Sequence, residues 1–188
     1  IKKVGKWVIN DSKTPSGKIH IGSGRGWIIH DTIAKVLRKQ GLNAIFILGN
    51  DDMDPFDKIP IYLSKKKYKK YLGMPLKDIP SPQKGYDSFA DFYFSQCTEK
   101  FKEFGIEASI YRMSKLYSSG KMNEVIKKIL NNSKKIQDIY RKIHKKTIGT
   151  EKLPINPICE KCGKIGTTYA YEWDSKKELL KYKCSKNL

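Results

Sequence analysis

The stretch Thr14–Gly26, TPSGKIHIGSGRG, sets one histidine, His20, among glycines and serines. Glycines allow close backbone approach, and N–H groups at the start of a helix attract phosphate through their free donors and the helix dipole. Gly17 and Gly22 are placed for such an approach. His20, if its ring turns into the same space, can donate to a phosphoryl oxygen that gains charge as it reacts. A second chemical group lies in GNDDMDPFDKIP, where Asp51 and Asp52 are adjacent carboxylates. Such a pair can hold an ammonium group or a ribose hydroxyl through charge-assisted hydrogen bonds, whereas Asp54 with Pro55 reads as turn chemistry. The third group is in the tail. Cys159 and Cys162 form a C-x-x-C with Gly163 behind it, and Cys184 follows. Structural zinc takes four ligands, so three cysteines with Asn187 at the closing position leave the set one short.

The flanking segments predict how these groups are positioned. Lys6–Ile9 reads as a buried strand, followed directly by the glycine-rich turn. Trp27–Gly41 reads as a helix with Ile29, Ile33, Val36 and Leu37 on one face, basic residues in its last turn and Gly41 as its stop. Asn43–Leu48 is a continuous apolar run of buried-strand length. Strand, turn, helix and strand make a βαβ unit, which predicts an α/β fold with a parallel sheet. Ligands of open α/β sheets sit at the carboxyl edge of the strands, so the His20 turn and the Asp51–Asp52 pair are predicted neighbours. Lys65–Gly85 reads as a basic helix end followed by a loop. Asp87–Gly105 carries Phe89, Phe92, Tyr93, Cys97, Phe101 and Phe104 on one helical face, with Asp87 or Ser88 as cap and Gly105 as stop. Cys97 on that face reads as a buried free cysteine. Ile106–Met113 reads as a third strand, Ser118–His144 as basic helix and Lys152–Pro157 as a linker.

Of the 188 residues, 39% are hydrophobic, enough for a core, and the 38 Lys and Arg against 19 Asp and Glu leave a net charge of +19. Such a field attracts polyanions, nucleic acid first. The dominance of Lys over Arg marks part of that excess as compositional bias. Lys65–Lys70 and Arg141–Lys146 could meet nucleic-acid phosphates, although most of these lysines read as solvated helix faces. No apolar run approaches the ~20 residues that span a bilayer, and the start is too short and too charged for a secretory signal. A cytoplasmic protein without membrane contact is expected. GSGRGW lacks the spacing of the dinucleotide fingerprint, and no Walker pattern occurs.

The Thr14–Gly26 stretch resembles the first signature, HIGH, of class I aminoacyl-tRNA synthetases, and more narrowly that of class I lysyl-tRNA synthetase. TPSGKIHIGS corresponds to the family's T-P-S-G-x-[IV]-H-[IV]-G-N. NDDMDPFDKIP, Asn50 to Pro60, is similar to its W-D-D-x-D-x-x-R-K-V-P. YLGMPLKDIPSP, Tyr71 to Pro82, with SFAD, Ser88 to Asp91, is similar to its Y-L-G-x-P…I-P-x-P and S-Y-A-E. Four positions depart from the pattern: Ser12 for Gly, Ser23 for Asn, Asn50 for Trp and Asp57 for Arg. RMSKL, Arg112 to Leu116, resembles the second signature, KMSKS, yet follows the third strand and aligns with an ordinary S-E-L-Y run. The second signature is therefore missing from these 188 residues.

The resemblance implies the amino-terminal half of a Rossmann-type, HUP-like domain over 1–117, a basic helical segment over 118–152 and a small zinc-ribbon-like insertion over 153–188. It implies a lysine–tRNA ligase, here a fragment, that uses ATP with Mg2+ to activate L-lysine and transfers it to tRNA(Lys). Pro15, Ser16, Gly17, His20, Gly22 and Ser23 would bind ATP, with His20 and Ser23 catalytic; Thr14, Asp51 and Asp52 would bind lysine or its adenylate. Cys159, Cys162 and Cys184 would be zinc ligands of a site either eroded or closed by a residue outside the chain. A nucleotidyltransferase of the same superfamily and a catalytically inactive tRNA-binding relative are the alternatives.

Overall fold

A computed structural model describes residues 5–144 and 152–185. In chain order the elements are β1 (Trp7–Lys13), α1 (Ile21–Lys39), β2 (Ala44–Asn50), α2 (Lys65–Tyr68), α3 (Phe89–Thr98), β3 (Ala108–Arg112), α4 (Met113–Ser118), α5 (Asn123–Asn131), α6 (Ser133–His144), β4 (Thr168–Asp174) and β5 (Leu179–Cys184). They fall into two compact units. One comprises Ile1–Asp54 and Leu76–Lys115; the other comprises Pro55–Pro75 and Leu116–Leu188. The segment Pro55–Pro75 thus groups with the carboxyl-terminal part of the chain.

The first unit is the expected parallel sheet, ordered β1-β2-β3. β1 pairs with β2 from Trp7↔Ala44 to Lys13↔Asn50, and β2 pairs with β3 from Phe46↔Ala108 to Asn50↔Arg112. β1 runs four residues beyond the apolar KWVI because ladder hydrogen bonds to β2 hold its polar end, Asn10–Lys13, in extended form. The core joins Trp27 and Ala34 of α1, Phe46 and Leu48 of β2, and Phe94, Phe101 and Ile106. Trp27 meets Phe101 edge to face at 5.5 Å between ring centroids.

Two helices differ from expectation. α1 begins at Ile21, six residues before Trp27, because His20 supplies an N-cap. Its buried stripe is Trp27, Asp31 and Ala34, while Ile29, Ile33 and Val36 of the predicted face are 44–51% exposed. Asp31 is buried with its carboxylate partnered: it accepts from the Glu107 N–H at 3.1 Å and pairs with Lys35 at 2.6 Å. α3 ends at Thr98 and continues as turns, closed by Gly105 at φ +66°. Ser88 is its cap, accepting from the Asp91 N–H at 3.1 Å. Phe104 is 62% exposed because it lies in those turns rather than on the helix.

In the second unit, β4 and β5 form an antiparallel hairpin whose register shifts between Ala170 and Glu172. Asn131 of α5 accepts from the Trp173 indole N–H at 2.7 Å. Within Pro55–Pro75, buried Phe56 packs edge to face on buried Tyr68. Among the described residues, no helix is long and apolar enough to cross a membrane.

Candidate functional site

Two sets of candidate side chains emerge, one in each unit. In the first unit, β1 ends at Lys13, buried Pro15 turns the chain, and the polypeptide re-enters regular structure at His20. His20 is extended, at φ −94° and ψ 161°, and its Nδ1 accepts the Gly22 N–H at 3.1 Å. With Nδ1 an acceptor, the neutral ring carries its proton on Nε2, so the exposed edge of the imidazole is a donor. Ser23 N–H donates to the His20 carbonyl at 3.0 Å. The first turn of α1 contains no acidic residue, leaving its end electropositive. Glycine at 22 is required by this arrangement, since a Cβ there would lie 2.8 Å from the His20 ring.

The carboxylates after β2 are not equivalent. Asp52 is 1% exposed and fully engaged: Ser114 N–H donates to its Oδ1 at 2.8 Å and the Ser114 hydroxyl to its Oδ2 at 2.5 Å. Its side chain ties the start of α4 to the end of β2 and offers little to a ligand directly. Asp54 accepts the Thr14 hydroxyl, so Thr14 has a carboxylate partner of its own. Asp51, anchored by its N–H on the Lys13 carbonyl at 3.0 Å, makes no ion pair with a cation among the described residues. Burial raises its pKa above the usual carboxylate value, a hydrogen bond from Ser12 opposes that, and the charges of Asp54, Asp52 and Asp11 add to the rise. The first unit thus combines a donor-rich helix start after β1 with an unneutralised carboxylate after β2, the next strand of the sheet.

Sequence reading did not find Ser114, Asp54 as the partner of Thr14, or the contact of His30 Nδ1 with Asp11 at 3.0 Å. Ser114 lies 62 residues from Asp52, and no local pattern links them. It is the serine of RMSKL, where it closes a buried hydrogen-bond pair.

In the second unit, the Sγ atoms of Cys159, Cys162 and Cys184 all lie within 4.8 Å of one another. Gly163, at φ +70°, donates its N–H to the Cys159 carbonyl at 2.8 Å, and Cys159 N–H donates to the Lys164 carbonyl at 2.9 Å, closing a tight knuckle. N–H donors of Cys162 and Lys161 lower the Cys159 thiol to about 7. Thr167 contributes a hydroxyl 3.2 Å from Cys184 Sγ. The Cys162–Cys184 separation of 3.7 Å matches the ~3.8 Å edge of a tetrahedron with metal–sulfur bonds near 2.3 Å. Three corners of a thiolate metal site therefore fit. Asn187, at the closing position of the sequence pattern, lies outside the described residues, as do Lys145 and Lys146 of the second basic tract. The first tract is described: Lys65, Lys66 and Lys69 line, with Lys58 and Asp57, an open cavity of about 610 Å3.

A parallel α/β sheet with a histidine-capped helix start after its first strand is a Rossmann-type arrangement. The chain matches the family model described as tRNA synthetases class I (K) over residues 2–187. It belongs to that family. A lysine–tRNA ligase of Methanocaldococcus jannaschii is 35% identical over 183 residues, covering 97% of this chain and 34% of the relative. Those of Thermoplasma acidophilum and Methanococcus maripaludis are 39% and 34% identical, covering 85% and 95% of this chain. The chain spans about a third of the length of these relatives.

Proposed function

We propose that the chain is the amino-terminal catalytic portion of a lysine–tRNA ligase, binding ATP at the start of α1 and the lysine ammonium at Asp51. The observation that carries this reading is the His20 cap, which turns a ring N–H outward beside free helix N–H groups and so offers donors to phosphate oxygens. Lysine carboxylate oxygen attacks the α-phosphorus of ATP; the bond to the β-phosphate oxygen breaks, releasing pyrophosphate and leaving lysyl-adenylate. The adenylate then passes its lysyl group to a terminal ribose hydroxyl of tRNA(Lys), with AMP leaving. No general base is needed for the first step, so the protein contributes positioning and electrostatics. His20, Gly22 and Ser23, with Pro15, Ser16 and Gly17 shaping the approach, hold the phosphates. Asp51, crowded by other carboxylates, is relieved by an incoming ammonium group. Asp52 and Thr14 act through Ser114 and Asp54 to fix the loop that carries Asp51. Mg2+ arriving with ATP would neutralise phosphate charge. Zinc would be held by Cys159, Cys162 and Cys184 as a structural crosslink.

Lysine-dependent ATP–pyrophosphate exchange by the full-length polypeptide tests the reading. Replacing His20 or Asp51 by Ala is expected to abolish exchange, whereas near-wild-type exchange in either variant removes the role assigned to that residue. The 188-residue chain alone, carrying one of the two family signatures, is expected not to support exchange.

A further inference from the structure

The motif YLGMP, Tyr71–Pro75, meets the thiol-bearing ribbon inside the second unit, and the contact is built from backbone. The Gly73 carbonyl accepts two N–H groups, from Ile165 at 2.8 Å and Gly166 at 2.9 Å. These residues directly follow Lys164, whose carbonyl closes the Cys159 knuckle. In the other direction Gly73 donates to the Phe56 carbonyl at 2.8 Å, and Phe56 donates to the Met74 carbonyl at 2.8 Å. Phe56 is fully buried against Tyr68, the last residue of α2, and α2 presents Lys65, Lys66 and, just beyond it, Lys69 to the basic cavity. Thr167 touches both partners. Its hydroxyl lies at Cys184 Sγ, and its methyl group would be 3.2 Å from a Cβ at position 73. Glycine is required on both sides of this seam. Gly73 is at φ +84°, and a Cβ on Gly166 would come within 3.2 Å of the Gly73 Cα and 3.0 Å of the Pro55 Cβ.

We infer that metal binding at Cys159, Cys162 and Cys184 orders Pro55–Pro75 through Gly73, so that the lysine-lined cavity, a surface for nucleic-acid phosphates, is assembled only in the metal-loaded protein. The inference rests on the proposed metal and tRNA reading of the second unit and adds a regulatory coupling to it. The physical ground is economy of contact. The seam is a run of main-chain hydrogen bonds over a few buried side chains, so its order depends on the ribbon holding its shape. Three thiolates drawn onto one ion fix the knuckle, and the carbonyl of Gly73 has a rigid pair of donors only while the knuckle is fixed. Coupling of this kind is reciprocal, so loosening the seam must also weaken the metal.

The test uses the full-length protein loaded with Co2+, whose thiolate charge-transfer absorption reports binding, and the same protein after chelation. Hydrogen exchange at the amides of Phe56, Gly73, Ile165 and Gly166 is expected to accelerate at least tenfold on chelation, while those of β2 stay unchanged. Gly73→Val, which strains φ and crowds Thr167, is expected to weaken Co2+ binding at least tenfold. Unchanged exchange at Phe56 and Gly73 on chelation overturns the coupling while leaving the metal site standing. So does unchanged Co2+ affinity in Gly73→Val. Absence of any charge-transfer band removes the metal reading itself, and the coupling with it.

Discussion

The ring of His20 and the backbone of Gly22 define one another: Nδ1 accepts the Gly22 N–H at 3.1 Å, and any side chain at 22 would begin 2.8 Å from that ring. One contact begins α1, fixes the imidazole tautomer and leaves Nε2–H facing outward. Capping the helix therefore occupies one nitrogen of the ring, and the proposed phosphate contact would use the other.

Gly22→Ala separates stability from activity. Alanine gains up to ~1 kcal/mol as a helix former, while loss of the cap costs about the same. The melting temperature is expected to stay within a few degrees, with lysine-dependent exchange falling at least tenfold because the ring swings away. An active Gly22→Ala variant would show that the cap geometry is not used.

Ser114→Ala strips the hydroxyl donor from buried Asp52. Hydrogen bonds to charged groups contribute roughly 1.5–3 kcal/mol, and an under-satisfied buried carboxylate carries a further desolvation cost. Urea denaturation should show a loss of about 2–3 kcal/mol. A loss under about 0.5 kcal/mol would mean that Asp52 has other support.

Asp51 should trade stability for binding. Its pKa is raised in the folded protein, so the fold holds that proton more tightly than the unfolded chain does, and ionisation at neutral pH lowers stability. Asp51→Asn is expected to melt at a higher temperature near pH 7. Its advantage should shrink as acid protonates the wild-type carboxyl. The proposed contact with the lysine ammonium uses the ionised form, so the wild-type KM for lysine should rise over that same fall in pH; a KM that stays constant would remove the contact.

The thiol cluster should bind one Co2+ or Zn2+ per chain, with Cys184→Ser losing most of the affinity because it removes one of only three sulfur corners. Titration followed by thiolate charge-transfer absorption reads this directly. Equal affinity in Cys184→Ser would exclude that sulfur as a ligand.

Replacing Lys65, Lys66 and Lys69 together by Ala should weaken tRNA binding and flatten its salt dependence by about 2–3 in the slope of log K against log salt. An unchanged slope would assign these lysines to solvated surface.

Several features were legible in the linear sequence because they depend on local chemistry. Apolar runs of strand length around a glycine-rich turn specify βαβ, Asp87 or Ser88 offers the α3 cap (the fold uses Ser88), Gly41 and Gly105 specify stops through positive φ, and C-x-x-C-G specifies a knuckle. Periodicity misled where burial is set by neighbours rather than by hydrophobicity. Ile29, Ile33 and Val36 mark an apolar stripe, yet α1 lays Trp27, Asp31 and Ala34 on the sheet. Asp31 can be there only because the Glu107 N–H and Lys35 come to meet it.

The residue types at the turn, at Asp51–Asp52 and at the three cysteines were determined by the sequence itself, and with them the kinds of group each can bind. Tertiary structure alone decided which carboxylate lacks a cation partner among the described residues and which is held by a buried hydroxyl. The sequence set Asp54, before Pro55, apart as turn chemistry but left Asp51 and Asp52 side by side; in the fold Ser114 takes Asp52 and Thr14 takes Asp54, leaving Asp51 to bear its neighbours' charge. The cause is physical: desolvation and hydrogen bonding act through space, and their partners here lie 40 and 62 residues away along the chain.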